Sequence, residues 1–253
     1  MFDSLKFPLI IAHRGASNYA PENTVAAFEL AFQQGSKAVE LDAKLSSDGQ
    51  VMIIHDQTVD RTTNGTGIVR DLPLTELKKL DAGGYYGAEF KNEPIPTLDE
   101  VFEAVGKKLF INVELTNYAS PFDDLPTNVA ALVRKHNLVN RVFFSTFNPI
   151  ALYRIKKLLP DVPAGLLMTC GFSGKLSRVI TSTFISFQSL HPHYEDISHK
   201  LVNKAHRKNQ FVFTYTVNRP DDMRQLFQQG VDGIFTDDPP LAQSILNEIY
   251  SFS

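Results

Sequence analysis

The chain of 253 residues has no tryptophan, one cysteine (Cys170) and no apolar run near the roughly 18 residues that a membrane span requires. A single cysteine excludes an intrachain disulfide and suits a reducing compartment. The N-terminus, Met1 to Lys6, lacks the basic and apolar regions of a secretion signal. We therefore expect a soluble, cytoplasmic protein without stable membrane insertion.

The chain also lacks a strong excess of either charge. Its 25 basic and 28 acidic residues give a formal net charge of −3, and neither sign forms a long run. Nucleic-acid-binding surfaces are typically basic and clustered, so we expect no nucleic-acid partner. The composition leaves the oligomeric state open.

Short apolar runs rich in β-branched residues alternate with helical patterns along the chain. This alternation is typical of βαβ units and a parallel sheet, and the length suits one (β/α)8 barrel. We predict an α/β fold with a single barrel domain over residues 1–253. Its eight strands are predicted near Leu9 to Ala12, Ala38 to Asp42, Phe110 to Leu115, Val142 to Ser145, Ala164 to Met168, Phe184 to Gln188, Phe211 to Thr216 and Gly233 to Thr236.

Two helix starts carry capping signals. Asn23 or Thr24 is predicted to cap a helix that stops at Gly35. Thr97 and Glu100 are spaced as a capping box before another helix.

One segment interrupts the alternation of strands and helices. Val51 to Ile54 follows Ser47-Asp48-Gly49, which predicts a hairpin partner for the second strand. Residues 57–96 then contain clusters of Thr, Gly, Asn and Pro with little periodicity. We predict that this segment is an insertion after the second barrel strand, packed over the barrel mouth.

Charged side chains follow the first predicted strand. The apolar run Ile10 to Ala12 leads directly into His13-Arg14-Gly15, at the barrel face where (β/α)8 enzymes place their active sites. Arginine suits phosphate or carboxylate, and histidine transfers protons near neutral pH. The alternative is a surface turn with Arg14 in an ion pair.

Three acids occur on the second and third predicted strands. Glu40 and Asp42 are two residues apart, so both point to one side of the strand, and Glu114 lies near the end of the next barrel strand. Such oxygen ligands suit one hard divalent cation, Mg2+ or Ca2+. The alternatives are solvated carboxylates or ion pairs with Arg or Lys.

A second histidine, His55, follows the predicted hairpin strand and is expected near the same mouth. Two histidines can divide acid and base roles in a proton-transfer reaction. A lone histidine is more often structural, but two of them beside three acids and an arginine favour a catalytic site.

Several segments match one known family in order and spacing over nearly the whole chain. They are His13-Arg14-Gly15, Pro21-Glu22-Asn23-Thr24, Glu40-Leu41-Asp42, Ser47-Asp48-Gly49, His55-Asp56, the run 60–67, Pro94-Ile95-Pro96-Thr97-Leu98, Asn112-Val113-Glu114-Leu115, Thr216-Val217-Asn218 and the run 230–237. In these the sequence resembles the glycerophosphodiester phosphodiesterases.

The resemblance implies a (β/α)8 fold and hydrolysis of a small-molecule glycerophosphodiester to sn-glycerol 3-phosphate and an alcohol. It leaves open whether the glycerol 2-hydroxyl attacks first, giving a cyclic phosphate, or water attacks directly. Transferred to this chain, it assigns roles as follows: one divalent ion on Glu40, Asp42 and Glu114, acid–base catalysis by His13 and His55, and phosphate binding by Arg14.

The sequence departs from the family pattern at two positions. Thr116 occupies a position where many members carry a lysine that faces the phosphate. Lys44 shares a strand face with the acids and either replaces that charge or is solvated. Tyr215 stands where tryptophan is common; with Phe147 it is expected either to form an aromatic wall for the substrate or to lie in the core.

Two other functions stay open at this stage. A lysophospholipase D-like activity on lysolipids would need an apolar groove, and a non-catalytic phosphate-binding barrel would have little use for His13 and His55. We expect small, water-soluble deacylated phospholipids, such as glycerophosphocholine, as substrates.

Overall fold

The computed structural model describes residues 5–172, 174, 181 and 184–251. Within them a single sheet holds nine strands: β1 Leu9–Ala12, β2 Ala38–Leu45, β3 Val51–Ile53, β4 Phe110–Leu115, β5 Val142–Thr146, β6 Ala164–Met168, β7 Ser189–Pro192, β8 Phe211–Thr214 and β9 Gly233–Thr236. All strands except β3 are parallel, and they close into a barrel because β1 pairs with both β2 and β9. The predicted (β/α)8 barrel is confirmed.

The helices of the described residues surround this barrel. They are α1 Val25–Gln33, α2 Leu74–Leu77, α3 Leu98–Val105, α4 Leu125–Lys135, α5 Pro149–Leu158, α6 His199–His206, α7 Pro220–Gln228 and α8 Pro239–Ser251. None of these helices is both long and apolar enough to cross a bilayer.

Both predicted caps form. Thr24, rather than Asn23, caps α1, since its hydroxyl accepts from the backbone N–H of Ala27 at 3.2 Å. Thr97 and Glu100 form the reciprocal capping box of α3. Asn23 is thereby left for another role, described below.

Strand β2 alternates apolar and acidic side chains between its two faces. Val39 and Leu41 point outward and are fully buried in the core between sheet and helices. Each contributes about 1.5–3 kcal/mol relative to an exposed side chain. Glu40 and Asp42 alternate with them and therefore face the barrel interior.

The lower interior of the barrel is filled by apolar side chains. Leu9, Ile11, Phe143, Phe213 and Phe235 form one buried cluster there. A (β/α)8 barrel is closed by such layers and is not a pore. The carboxylates of Glu40 and Asp42 instead line the cavity at the barrel mouth.

The predicted strand at Phe184 to Gln188 is wrong. The strand is β7, Ser189–Pro192, and Phe184 is 81% exposed. The apolar run 184–187 favoured the earlier position, whereas β7 carries two buried polar residues. Ser189 and His191 bond to each other inside the barrel through Oγ and Nε2, 2.9 Å apart, so the strand does not coincide with the apolar run on which the prediction relied.

The predicted hairpin is confirmed, because β3 pairs antiparallel with the end of β2. The N–H of Ile54 then donates to the carbonyl of Asp42 at 3.0 Å, which brings the next residue, His55, to the mouth. The segment that follows has a small core of its own, including Met52, Val59 and Ile95.

Candidate active site

A cavity of about 200 Å³ lies at the carboxyl ends of the barrel strands. Of the residues predicted for the site, those that line it are His13, Arg14, Glu40, Asp42, His55, Glu114, Phe147 and Tyr215. A larger cavity of about 440 Å³ lies at the opposite end, between the start of β1 and helix α8, and its lining contains no acid or histidine among the described residues. We therefore take the mouth cavity as the candidate active site, because its lining carries acids and histidines although it is the smaller of the two.

Three carboxylates converge in the mouth cavity. One oxygen each of Glu40, Asp42 and Glu114 lies within 4.8 Å of the others. The register of β2 and β4 sets this arrangement, since Asp42 pairs directly with Glu114. Asn23, at φ +59°, donates to Asp42 Oδ2 at 2.8 Å and fixes that carboxylate.

The electrostatics of this cluster indicate a deficit of positive charge. Burial, followed by the neighbouring charges of Asp42 and Glu114, raises the pKa of Glu40 well above its ordinary value. Burial and then Asp42 raise the pKa of Glu114 to about 8. Burial also acts to raise the pKa of Asp42, but Arg14 and His55 hold it below its ordinary value. Glu40 Oε1 is buried and has no hydrogen-bond partner among the described residues.

Arg14 lies directly over these acids. Its backbone N–H donates to Glu40 Oε2 at 2.9 Å, and its Nε lies 3.3 Å from Asp42 Oδ2. The turn that places it requires the next residue, Gly15, because φ there is +84° and a Cβ would lie 2.7 Å from Ala27. The tight turn His13-Arg14-Gly15 after β1 therefore places Arg14 over the acids.

His13 is held by an acid from the last strand. Its Nδ1 lies 2.7 Å from Asp237 Oδ1, and Asp237 also accepts from Ser17 and Asn218. Burial would raise the pKa of Asp237, but the bond to His13 and the other donors lower it. A proton on Nδ1 leaves Nε2 of His13 as the proton-accepting atom.

His55 has an equivalent arrangement. Its Nδ1 lies 2.7 Å from Asp56 Oδ1, and Arg61 donates through Nε to the same carboxylate at 2.7 Å. The bond from Arg61, then that to His55, lowers the pKa of Asp56 to about 2 although burial opposes this. Both histidines therefore carry an ionised carboxylate on Nδ1.

Glu22 joins the two sides of the site. Its carboxylate accepts from Arg14 at 2.8 Å and from both terminal nitrogens of Arg61, at 2.7 and 2.8 Å. Burial acts to raise the pKa of Glu22, but these two guanidinium groups lower it. Residues 57–96 are tied to the barrel through this network.

Lys44 is the predicted site residue that does not line the cavity. Its Nζ donates to Thr116 Oγ1 at 2.7 Å, and Thr116 donates on to the carbonyl of Ala43. The side chain is 7% exposed, so the interpretation as a solvated lysine is wrong. Burial lowers the pKa of Lys44, while Asp42 and Glu114 act to raise it.

Aromatic rings form one side of the mouth. Phe147 meets Tyr118 and Tyr215 edge to face, with centroids 5.8 and 5.9 Å away. Tyr215 donates its hydroxyl to the carbonyl of Met168 at 2.7 Å, and Tyr118 donates to Glu114. Phe147 and Tyr215 thus face the cavity and are not simply core.

Several residues of this network were missing from the predicted site. Glu22, Asn23, Asp56, Asn218 and Asp237 all lie in the segments that carried the family resemblance. For two of them, sequence position could have predicted a place in the site. Asp56 directly follows His55, and Asp237 directly follows β9 at the same barrel face as His13.

Comparisons with known proteins identify one family. The model of the glycerophosphoryl diester phosphodiesterase family matches residues 13–241. A glycerophosphodiester phosphodiesterase of Caldanaerobacter subterraneus subsp. tengcongensis is 42% identical over 232 residues, covering 91% of this chain and 94% of that protein. One from Bacillus altitudinis is 33% identical over 244 residues, covering 95% and 98%.

Solved structures of phosphodiesterases are similar to this chain over most of its length. An Oleispira antarctica phosphodiesterase, determined in complex with the product sn-glycerol-3-phosphate, superposes with a TM-score of 0.86 at 34% identity, covering 95% of this chain and 97% of that one. An Agrobacterium tumefaciens glycerophosphodiester phosphodiesterase superposes with a TM-score of 0.77 at 31% identity, covering 93% and 99%. The resemblance found in the sequence is confirmed. The chain therefore belongs to the glycerophosphoryl diester phosphodiesterase family and is a phosphodiesterase of that type.

Proposed function

We propose that this chain hydrolyses small glycerophosphodiesters to sn-glycerol 3-phosphate and an alcohol, with one divalent ion and with His13 and His55 as the proton-transfer pair. One observation carries the proposal: two imidazoles, each bound through Nδ1 to a carboxylate, line one cavity together with three converging acids. The Oleispira antarctica relative, with its bound product, supports the same substrate class.

The acids fit a hard divalent cation, Mg2+ or Ca2+. Glu40, Asp42 and Glu114 offer only oxygen, and ligand oxygens around such an ion are separated by about 3 to 5 Å, which their spacing within 4.8 Å allows. The unpartnered Oε1 of Glu40 supports the same assignment. When bound, the ion would neutralise charge on a phosphoryl oxygen.

Positive groups of the chain bind the phosphate. Arg14 lines the cavity, and its guanidinium is held in place by Glu22 and Asp42. A planar guanidinium suits phosphate oxygens. Lys44 acts at a distance through its charge, because its ammonium group is committed to Thr116.

The imidazoles move the protons. One accepts the proton of the attacking hydroxyl, and the other donates a proton to the leaving alkoxide. Asp237 and Asp56 stabilise each ring when it carries the extra proton. The attacking hydroxyl belongs either to the glycerol 2-carbon or to water, and detection of a cyclic phosphate by phosphorus NMR during turnover distinguishes the two.

The cavity favours a small, polar substrate. Its volume of about 200 Å³ is below the roughly 300–1,000 Å³ of sites for drug-sized ligands. Phe147 and Tyr215 give it one apolar wall, against which the glycerol or a compact head group packs. We expect glycerophosphocholine and glycerophosphoethanolamine as substrates of this small, polar class.

An assay that measures both released choline and released glycerol 3-phosphate tests the proposal. The purified chain is incubated with glycerophosphocholine or with lysophosphatidylcholine, in Mg2+, Ca2+ or a chelator. We expect release from glycerophosphocholine that depends on metal. Turnover of the lysolipid alone would support a lysophospholipase D-like enzyme, whereas binding of glycerol phosphate without turnover would indicate a phosphate-binding barrel.

A further inference from the structure

A second group of metal-ligand residues lies outside the catalytic cavity, where β6 and β7 end. Cys170 lies two residues after β6, and His193 and Glu195 lie just after β7. One potential ligand atom of each lies within 4.8 Å of the other two. Cys170 and Glu195 are exposed and His193 is half-buried, so an ion can reach them from solvent.

Two of the distances among these atoms are close to those of a tetrahedral metal site. Cys170 Sγ lies 3.6 Å and His193 Nδ1 lies 3.7 Å from the same oxygen, Glu195 Oε2. Zinc bonds of about 2.0 Å to nitrogen or oxygen and about 2.3 Å to sulfur place tetrahedral ligands about 3.3–3.5 Å apart. Both distances to Glu195 Oε2 therefore lie within a few tenths of an ångström of the tetrahedral spacing.

The ligand types select a different ion from that of the catalytic acids. A thiolate, an imidazole and a carboxylate suit zinc and similar transition metals, whereas three carboxylates suit Mg2+ or Ca2+. We propose that Cys170, His193 and Glu195 bind one divalent transition-metal ion of the zinc class, at a site separate from Glu40, Asp42 and Glu114. Water completes its fourth position.

Two backbone contacts of the cluster are compatible with this binding. The backbone N–H of Glu195 donates to His193 Nδ1 over 3.4 Å, a long bond that the metal replaces. The N–H of Gly171 donates to Asp196 at 2.6 Å, which already ties the loop after β6 to the turn after β7. The two chain segments are thus held in position before the ion arrives.

The proposed metal site is in contact with the catalytic cavity through two aromatic rings. The His193 ring meets Tyr215 edge to face at 5.9 Å, and Tyr215 lines the cavity wall. An ion on Nδ1 fixes the orientation of the His193 ring. It therefore also restrains Tyr215, without contacting the substrate.

Titration with Co2+, a spectroscopic substitute for zinc, tests the site. The intact protein is expected to bind one Co2+ with a near-ultraviolet thiolate-to-cobalt absorption band that Zn2+ displaces. Cys170→Ser removes the band. His193→Gln and Glu195→Gln keep the thiol, and each is expected to weaken Co2+ binding by about 10-fold or more, because one of three protein ligands is lost.

Two control variants make the result specific. His136→Gln alters another histidine–carboxylate cluster, with Asp99 and Glu103, and Glu40→Gln alters the catalytic acids. Both are expected to keep the thiolate band and its affinity. The proposal is overturned if the intact protein has no such band, or if His193→Gln and Glu195→Gln bind Co2+ as tightly as the intact protein.

Discussion

The bond between His13 and Asp237 permits a quantitative prediction. Asp237→Asn keeps the shape of the side chain and removes the negative charge 2.7 Å from His13 Nδ1. A hydrogen bond to a charged group contributes about 1.5–3 kcal/mol. Each 1.36 kcal/mol added to the barrier lowers a rate tenfold, so kcat should fall by about 10- to 150-fold.

The assay is the release of glycerol 3-phosphate under saturating metal, with kcat and KM measured separately. Because Asp237 acts through His13 and is a positioning residue, kcat should fall while KM changes little. Asp237 also accepts from Ser17 and Asn218, so the unfolding midpoint must be measured alongside.

The next residue supplies a matched control. Asp238→Asn makes the same chemical change, but Asp238 bonds to Asn18 and Tyr19 and caps α8 rather than touching His13. This variant should keep kcat within about twofold of the unaltered enzyme, because the bonds that it alters do not involve His13. A kcat for Asp237→Asn as high as that of the control would refute the role given to the His13 bond.

Three further outcomes are expected. His13→Ala and His55→Ala should each lower kcat by about 10²-fold or more with unchanged circular dichroism, and a near-normal rate would remove that histidine from the mechanism. Glu40→Gln should weaken metal binding and activity, with partial recovery at excess cation; an unchanged metal titration would place the ion elsewhere. In chelator, the folded protein keeps Glu114 protonated up to about pH 8, while in the unfolded chain this carboxyl ionises near pH 4.5. The free energy of unfolding, measured with urea, should therefore fall as pH rises through this interval. The same dependence on pH in Glu114→Gln would contradict this.

Much of the fold could be predicted because local patterns and tertiary structure agree. The capping box at Thr97 and the hairpin after Gly49 depend on neighbouring residues, and both form. The failure at β7 has the opposite cause. Ser189 and His191 point into the barrel and bond to each other, so β7 carries polar side chains where an apolar strand was expected.

The site residues also fall into those that could be predicted from the sequence and those that could not. Residues that reach the cavity from strand ends, such as Glu40, follow from alternation along β2. Residues that act on other side chains do not, because Glu22 and Asp237 bond partners distant in sequence. Lys44 illustrates the limit of the strand-face argument: it shares the face of Glu40, yet its length carries the ammonium group to Thr116 and away from the cavity.

The hairpin strand β3 has a consequence for how this catalyst can change. His13 and the three acids are anchored in the closed barrel, whose hydrogen-bonded register fixes their spacing. His55 instead extends from a strand outside that closed ring, and its partner Asp56 is steadied from the appended segment by Arg61. Insertions or deletions in that segment can therefore reposition His55 while the three acids keep their spacing, so the proposed proton-transfer pair could adapt to differently shaped alcohols without a change in the barrel.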